Sequence, residues 1–178
     1  EPIQKEEETA GVEQPSVTEG LVIFVSGEVS YRSDNEWIFL QIGDFITQGA
    51  TVQTESDSYC EIQFGEEALM RIQESSSIYF DKILFEEAAT SIRSRLEAGT
   101  VLAKVGKLAG SDDFTVQTQT AVCGVRGTEF LVSAKEDGET TLAVGTGAVS
   151  FIPIPLDLEA IRRGSEESFQ SIFPVLLD

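Results

Sequence analysis

The chain has 178 residues, of which 41% are hydrophobic, so it is long enough to form one folded domain with a packed core. Its 31 acidic and 12 basic residues give a formal net charge of −19, which makes nucleic acid and anionic membrane surfaces poor partners. It contains no histidine, which removes the commonest general base and zinc ligand. The acidity either keeps the protein soluble or suits a basic partner or a hard cation. No stretch reaches the roughly 18 apolar residues of a membrane-spanning helix, so we expect any signal peptide or lipid anchor upstream of residue 1.

Residues 1–19 differ in composition from the rest of the chain. They contain six glutamates, Pro2 and Pro15, and few large apolar side chains. Such a segment buries too little apolar surface to offset its conformational entropy. We therefore predict a disordered acidic linker over residues 1–19.

Short apolar runs with two-residue alternation, separated by glycines and turn residues, fill residues 20–152. This pattern predicts an all-β domain of short strands. The first half of the domain contains runs at 21–25, 29–31, 37–42, 52–54, 60–64, 69–72 and 78–80.

The second half contains one ambiguous stretch, residues 86–98. Glu86 to Ala89 favour a helix, whereas residues 92–98 alternate with a period of two, so we predict a loop or turn followed by a strand through Gly99. A glycine-rich linker is expected at 106–113. Asp137-Gly138 predicts a hairpin between strands at 130–135 and 140–144, and a last strand is predicted at 148–152.

Residues 153–178 form a C-terminal extension. Pro153 and Pro155 end the strand pattern, and Asp157 is a suitable N-cap for a short helix over about 158–170. Gly164 weakens this helix, so the sequence leaves open whether the extension is helical.

One internal echo links two parts of the domain. Thr51-Val52-Gln53-Thr54 recurs as Thr115-Val116-Gln117-Thr118, and each copy is followed by a cysteine and then a phenylalanine. We predict that the two copies stack or pair. If they lie side by side, Cys60 and Cys123 could form a disulfide; the alternative is two buried free thiols.

Several short segments follow one another in a distinctive order over about residues 20–152. The most specific is Val125-Arg126-Gly127-Thr128-Glu129-Phe130. The others are Gly27-Glu28-Val29, Leu40-Gln41-Ile42-Gly43-Asp44, Gly49-Ala50-Thr51-Val52-Gln53-Thr54, Ser58-Tyr59-Cys60-Glu61-Ile62-Gln63-Phe64-Gly65, Ser75-Ser76-Ser77-Ile78, Leu96-Glu97-Ala98-Gly99-Thr100-Val101 and Gly145-Thr146-Gly147-Ala148-Val149. Together, in this order, they resemble the FecR domain, a periplasmic β module of bacteria.

The resemblance implies a twisted, solenoid-like or sandwich-like all-β fold and a role in cell-envelope signalling. In the best-known members, the domain relays the state of an outer-membrane transporter to a sigma factor. This chain shows no cytoplasmic anti-sigma segment, so sigma-factor regulation is not implied for it. The resemblance places the protein in the periplasm or otherwise outside the cytoplasm, with a lipid anchor left open.

The Val-Arg-Gly-Thr-Glu-Phe segment is the first candidate site. Gly127 permits a bend or a close backbone approach, and Arg126 and Glu129 place opposite charges on either side of it, with Thr128 between. These two residues could recognise a partner, but we favour a structural ion pair that locks the bend.

Trp37, with Tyr31 and Phe39 nearby, is the second candidate, either an exposed aromatic platform for a glycan or protein or, as we favour, a core side chain. The acidic turns at 112–113 and 136–139 lack the ligand spacing of a calcium loop, so we expect no metal site there and no cofactor. No nucleophile motif or phosphate-binding loop is present, so we expect no enzymatic activity.

The sequence leaves two functions open. The first is a non-catalytic, envelope-signalling or protein-binding module, to which a partner adds a strand at an open sheet edge. The second is an envelope scaffold associated with carbohydrate or peptidoglycan, suggested by the region around Trp37.

Overall fold

The computed structural model describes residues 18–154, apart from 34, 67, 87–88, 107–112 and 126 and the side chains of 86 and 89. Within that part of the chain the protein is all-β, with fourteen strands and no helix. The strands are β1 Glu19–Ser26, β2 Val29–Ser33, β3 Glu36–Phe39, β4 Phe45–Thr47, β5 Thr51–Thr54, β6 Tyr59–Phe64, β7 Ala68–Ile72, β8 Ser76–Glu86, β9 Ala89–Val105, β10 Asp113–Gln117, β11 Ala121–Val125, β12 Glu129–Ala134, β13 Thr140–Thr146 and β14 Val149–Pro153.

All fourteen strands belong to one continuous, curled sheet with two sections. In the first section, here called the first sheet, the order is β3-β2-β5-β8-β9-β10-β11-β14. In the second sheet it is β4-β1-β6-β7-β9-β12-β13. Neighbours are antiparallel except β9 and β10, which are parallel.

Strand β9 joins the two sheets because it runs through both. Residues 89–98 pair with β8 and β10, whereas residues 99–105 pair with β7 and β12. The change of sheet occurs at Gly99, whose φ of +96° is readily adopted only by glycine. A Cβ at Gly99 would lie 2.4 Å from the Cα of Ser76, so the position also requires the absence of a side chain.

The core lies between the two sheets. Inward-facing residues alternate with outward-facing ones, as in the burial of Cys60, Ile62 and Phe64 on β6. Two ring pairs join one sheet to the other: Phe64 and Phe80 at 5.7 Å between centroids, and Phe114 and Phe130 at 6.1 Å. The sheets therefore face each other over a shared apolar layer.

The all-β prediction is confirmed, as is the hairpin at Asp137-Gly138. The strand predicted through Gly99 is also present, but it begins earlier, at Ala89, and pairs with a β8 that extends to Glu86. The stretch with helix-forming residues is thus the end of a long hairpin. The predicted helix at 158–170, residues 1–17 and most of the predicted linker at 106–113 lie outside the described residues.

The two copies of the internal echo do not pair. Both β5 and β10 belong to the first sheet, but β8 and β9 lie between them. The prediction that the copies stack or pair is therefore wrong, because they lie in one sheet and the hairpin formed by β8 and β9 separates them.

Candidate protein-interaction surface

The Gly127-Thr128 segment carries the chain from β11 in the first sheet to β12 in the second. Thr128 is buried, its Oγ1 donates to the carbonyl of Ala148 at 2.8 Å, and its own carbonyl accepts from the amide of Val105 at 2.9 Å. A Cβ at Gly147 would lie 2.6 Å from the carbonyl oxygen of Gly127. Two crossings between the sheets, 127–128 and 147–148, thus pack directly against each other.

Glu129 begins β12 and forms an ion pair across the strands. The Nζ of Lys104 lies 2.7 Å from its Oε1, and both side chains are largely exposed. The hydrogen bond to Glu129 raises the pKa of Lys104. Arg126 is outside the described residues, so its pairing with Glu129 remains a prediction.

Trp37 lies on β3, the outermost strand of the first sheet, with 44% of its surface exposed. The expectation that Trp37 packs in the core is wrong, because its register partner is the exposed Arg32 and not a core residue. The guanidinium of Arg32 lies 5.2 Å from the centre of the Trp37 ring, a cation–π contact. Trp37 is far in the strand order from the Gly127 crossing and forms no common site with it.

Further exposed apolar side chains lie at this end of the sandwich, on β3, on the loop to β4, and on β4 and β1 of the second sheet. Phe39 is 72% exposed on β3 and Ile42 is exposed on the loop to β4. Phe45 on β4 pairs in register with exposed Leu21 on β1. The amide of Gly43, the residue after Ile42, donates to the carbonyl of Val22 at 2.8 Å. We call this surface the apolar rim; it consists of Leu21, Ile23, Trp37, Phe39, Ile42 and Phe45.

The centre of the first sheet's outer face is polar by comparison. Arg93 pairs with Asp113 at 2.7 Å, and Arg95 pairs with Asp81 at 2.8 Å. Ser77 donates to Glu97 at 3.0 Å nearby. The apolar rim is therefore a local feature, of the kind that marks interaction sites on soluble proteins.

The outer face of the second sheet carries a shallow groove of about 510 Å³. Leu69, Leu102 and Leu131, each half-buried, line it. Ion pairs border these leucines: Arg71 with Glu61, and Lys104 with Glu129. Because the charges are already paired across strands, the groove offers an apolar floor without a free charge to orient a small molecule.

Both cysteines are free and buried, Cys60 on β6 of the second sheet and Cys123 on β11 of the first. Their strands are not hydrogen-bonded neighbours, so the side-by-side arrangement that motivated a disulfide is absent. Burial, with a smaller contribution from Glu61, raises the pKa of Cys60 to about 12, and burial raises that of Cys123 to about 11. Neither thiol has the low pKa of a nucleophile.

The acidic turns form local contacts. Asp137 Oδ1 accepts from the amide of Glu139 at 3.0 Å, and Glu139 pairs with Lys135 at 2.8 Å. Asp113 is already paired with Arg93. No three His, Cys, Asp or Glu residues of the described ranges are grouped so that they could hold a metal ion. Among those same residues, no helix is long and apolar enough to cross a membrane.

The sequence missed most of the apolar rim. It singled out Trp37 with Phe39 nearby, but Leu21 and Ile42 were interpreted only as strand residues and Phe45 was not singled out. A usable signal was present, because five large apolar residues follow Trp37 within residues 38–45 and surround the Gly43-Asp44 turn. Large apolar side chains on both sides of a short turn cannot all face one core.

A protein-family model described as "FecR protein" matches residues 50–150. A crystal structure of a candidate anti-sigma factor from Parabacteroides distasonis ATCC 8503 has a TM-score of 0.46 with this chain and 16% sequence identity. The match covers 58% of this chain and 50% of that one, so the similarity extends over half the length of that structure. No protein of curated function matches the chain significantly.

Proposed function

Because this chain belongs to the FecR protein family, we propose that it is a non-catalytic signalling module that binds another protein of the cell envelope. The observation that carries this proposal is the apolar rim. It places exposed aromatic and aliphatic side chains beside an edge strand on a protein whose formal net charge is −19. Aromatic side chains of this kind are enriched in the centres of protein interfaces.

Strand β3 supports binding by strand addition. Among the described strands it pairs only with β2, so its outer backbone groups have no strand partner. An extended segment of a partner can hydrogen-bond to that edge and place alternate side chains against Trp37 and Phe39. The acidity of the chain favours a partner that is basic around this contact.

Site-specific photo-crosslinking in cells tests this function. A photoreactive phenylalanine analogue replaces Phe39 in the full chain, and the matched control carries it at Glu97, which is exposed on the outer face of the same sheet. We expect one envelope protein to be crosslinked from position 39 and not from position 97. Equal crosslinking from both positions, or none from either, contradicts the proposal.

An envelope scaffold that binds carbohydrate or peptidoglycan is the second candidate, because Trp37 is exposed. Arg32 contacts one face of its ring, so a sugar would have to stack on the other. Retention on purified cell wall without any protein, lost in Trp37→Ala and kept in Phe39→Ala, would favour this candidate over the first.

We also propose that the protein is periplasmic or otherwise extracytoplasmic. Family membership and the acidic composition of residues 1–19, suited to a tether before a folded domain, support this location. Fractionation of cells that express the natural precursor tests it. Recovery with the cytoplasmic fraction would refute the location.

A further inference from the structure

The end of the sandwich opposite the apolar rim is open. There β13 and β14 are the last strands of the two sheets within the described part of the chain. Val144 pairs in register with buried Phe130, and Phe151 with buried Cys123, so both face the core. Yet Val144 is 44% exposed and Phe151 is 38% exposed. We call this place the open end.

The end with the apolar rim is closed by comparison. The loop at 40–44 connects β3 and β4, and the inward-facing Leu40 and Ile46 beside it are 4% and 0% exposed. The amide of Leu40 donates to the carbonyl of Val29 at 2.8 Å, which fixes the loop over the core. The described chain supplies no equivalent loop between β13 and β14, since residues 147–148 cross beside Gly127 and not over Val144.

The sequence of the open edges also indicates that they are covered. Exposed edge strands are normally protected from unwanted pairing by charged residues. Residues 140–156, which include β13 and β14, form a run of 17 residues without a charged residue, the longest in a chain that is 24% charged. Two adjacent uncharged edges above a partly exposed core are a surface to which another segment docks.

We propose that residues 168–177 of this same chain cover the open end. The segment has no charged residue and is rich in large apolar side chains: Phe169, Ile172, Phe173, Val175, Leu176 and Leu177. The described chain ends at the open end itself, where the amide of Ile154 donates to the carbonyl of Thr120 at 2.5 Å. Proximity therefore favours this segment over an untethered one.

The connecting residues are long enough for this docking. The 13 residues at 155–167 can span up to about 43 Å when extended. A tether of this length keeps the segment at an effective concentration on the order of millimolar. An untethered partner or a second copy of the chain at micromolar concentration competes poorly with it.

Hydrogen exchange of the full chain tests the proposal. Phe173→Asp puts a charge into the segment, and Ile3→Asp makes the same kind of change in the other terminal segment. We expect amides of β13 and β14 to exchange at least tenfold faster in Phe173→Asp and to be unchanged in Ile3→Asp. Amides of β6, in the centre of the second sheet, report whether the fold is intact.

A second measurement uses the chain that ends at residue 167. Addition of a synthetic peptide with the sequence of residues 168–177 is expected to restore slow exchange in β13 and β14, and a scrambled peptide is not. Unchanged exchange in Phe173→Asp, or no effect of the peptide on a folded truncated chain, overturns the proposal. Protection of β13 and β14 that rises with the concentration of the full chain also overturns it, because a second copy would then cover the open end.

Discussion

Replacement of Gly99 by alanine tests why the chain can pass from one sheet to the other. Gly99 has a φ of +96°, and a side chain in this conformation costs about 1–3 kcal/mol. The new Cβ would also lie 2.4 Å from the Cα of Ser76 and 2.1 Å from its Oγ. Backbone has to move to relieve such a contact, which adds about 1–3 kcal/mol. We therefore expect Gly99→Ala to lower the free energy of unfolding by roughly 2–6 kcal/mol.

Gly43 is the matched control for this prediction. It has the same φ of +96°, but a Cβ there would meet nothing within 4 Å. Gly43→Ala should therefore cost only the backbone strain, about 1–3 kcal/mol. Chemical denaturation of both variants, followed by tryptophan fluorescence and circular dichroism, measures the difference. Equal losses of unfolding free energy would refute the close approach to Ser76 as the reason for glycine at position 99.

Three further predictions concern the core, a buried threonine and the thiols. Phe114→Ala should cost about 3–5 kcal/mol of unfolding free energy, whereas Phe39→Ala on the exposed edge should cost less than about 0.5 kcal/mol; similar losses in urea denaturation would contradict the assignment of core and edge. Thr118→Val should lower the free energy of unfolding by about 1–3 kcal/mol, because Thr118 Oγ1 accepts from the buried amide of Ala121 at 3.0 Å. A shift of the thermal midpoint within error of zero would argue against this. Burial raises the pKa of Cys60 to about 12 and that of Cys123 to about 11 from 9.0, so the native state keeps protons that the unfolded state releases. The free energy of unfolding should fall as the pH rises from 9.0 to about 12, and a variant with both cysteines replaced by alanine should show a shallower fall; identical slopes would disprove the linkage.

The local sequence pattern was sufficient to predict individual strands, but not which strands are neighbours in the sheets. Period-two alternation predicted β6 and β12, and Asp137-Gly138 predicted the turn between β12 and β13, because these signals depend on residues close in sequence. It did not predict that β8 and β9 separate the two copies of the echo. Strand order is set by pairings between distant segments, which alternation within one strand does not encode.

The exposure of Trp37 could not be predicted from the local sequence pattern either. Alternation indicated that one side of β3 faces outward, but core and edge strands share this pattern. Only the strand order reveals that β3 has a single neighbour among the described strands and that its apolar side chains are exposed. The bend at Gly127 was easier to predict, because glycine readily adopts the positive φ found there whatever the surrounding topology.

The sharing of β9 by both sheets has a consequence for alignment errors during folding. A slip of one residue in a strand exchanges its inward and outward side chains. In β9 such a slip would invert its contribution to both sheets at once, since residues 89–98 and 99–105 are one uninterrupted strand. It would also move Gly99 away from Ser76 and put a side chain into that contact. One glycine therefore sets the alignment of β9 with four neighbouring strands, and misaligned forms of either sheet are penalised by the other.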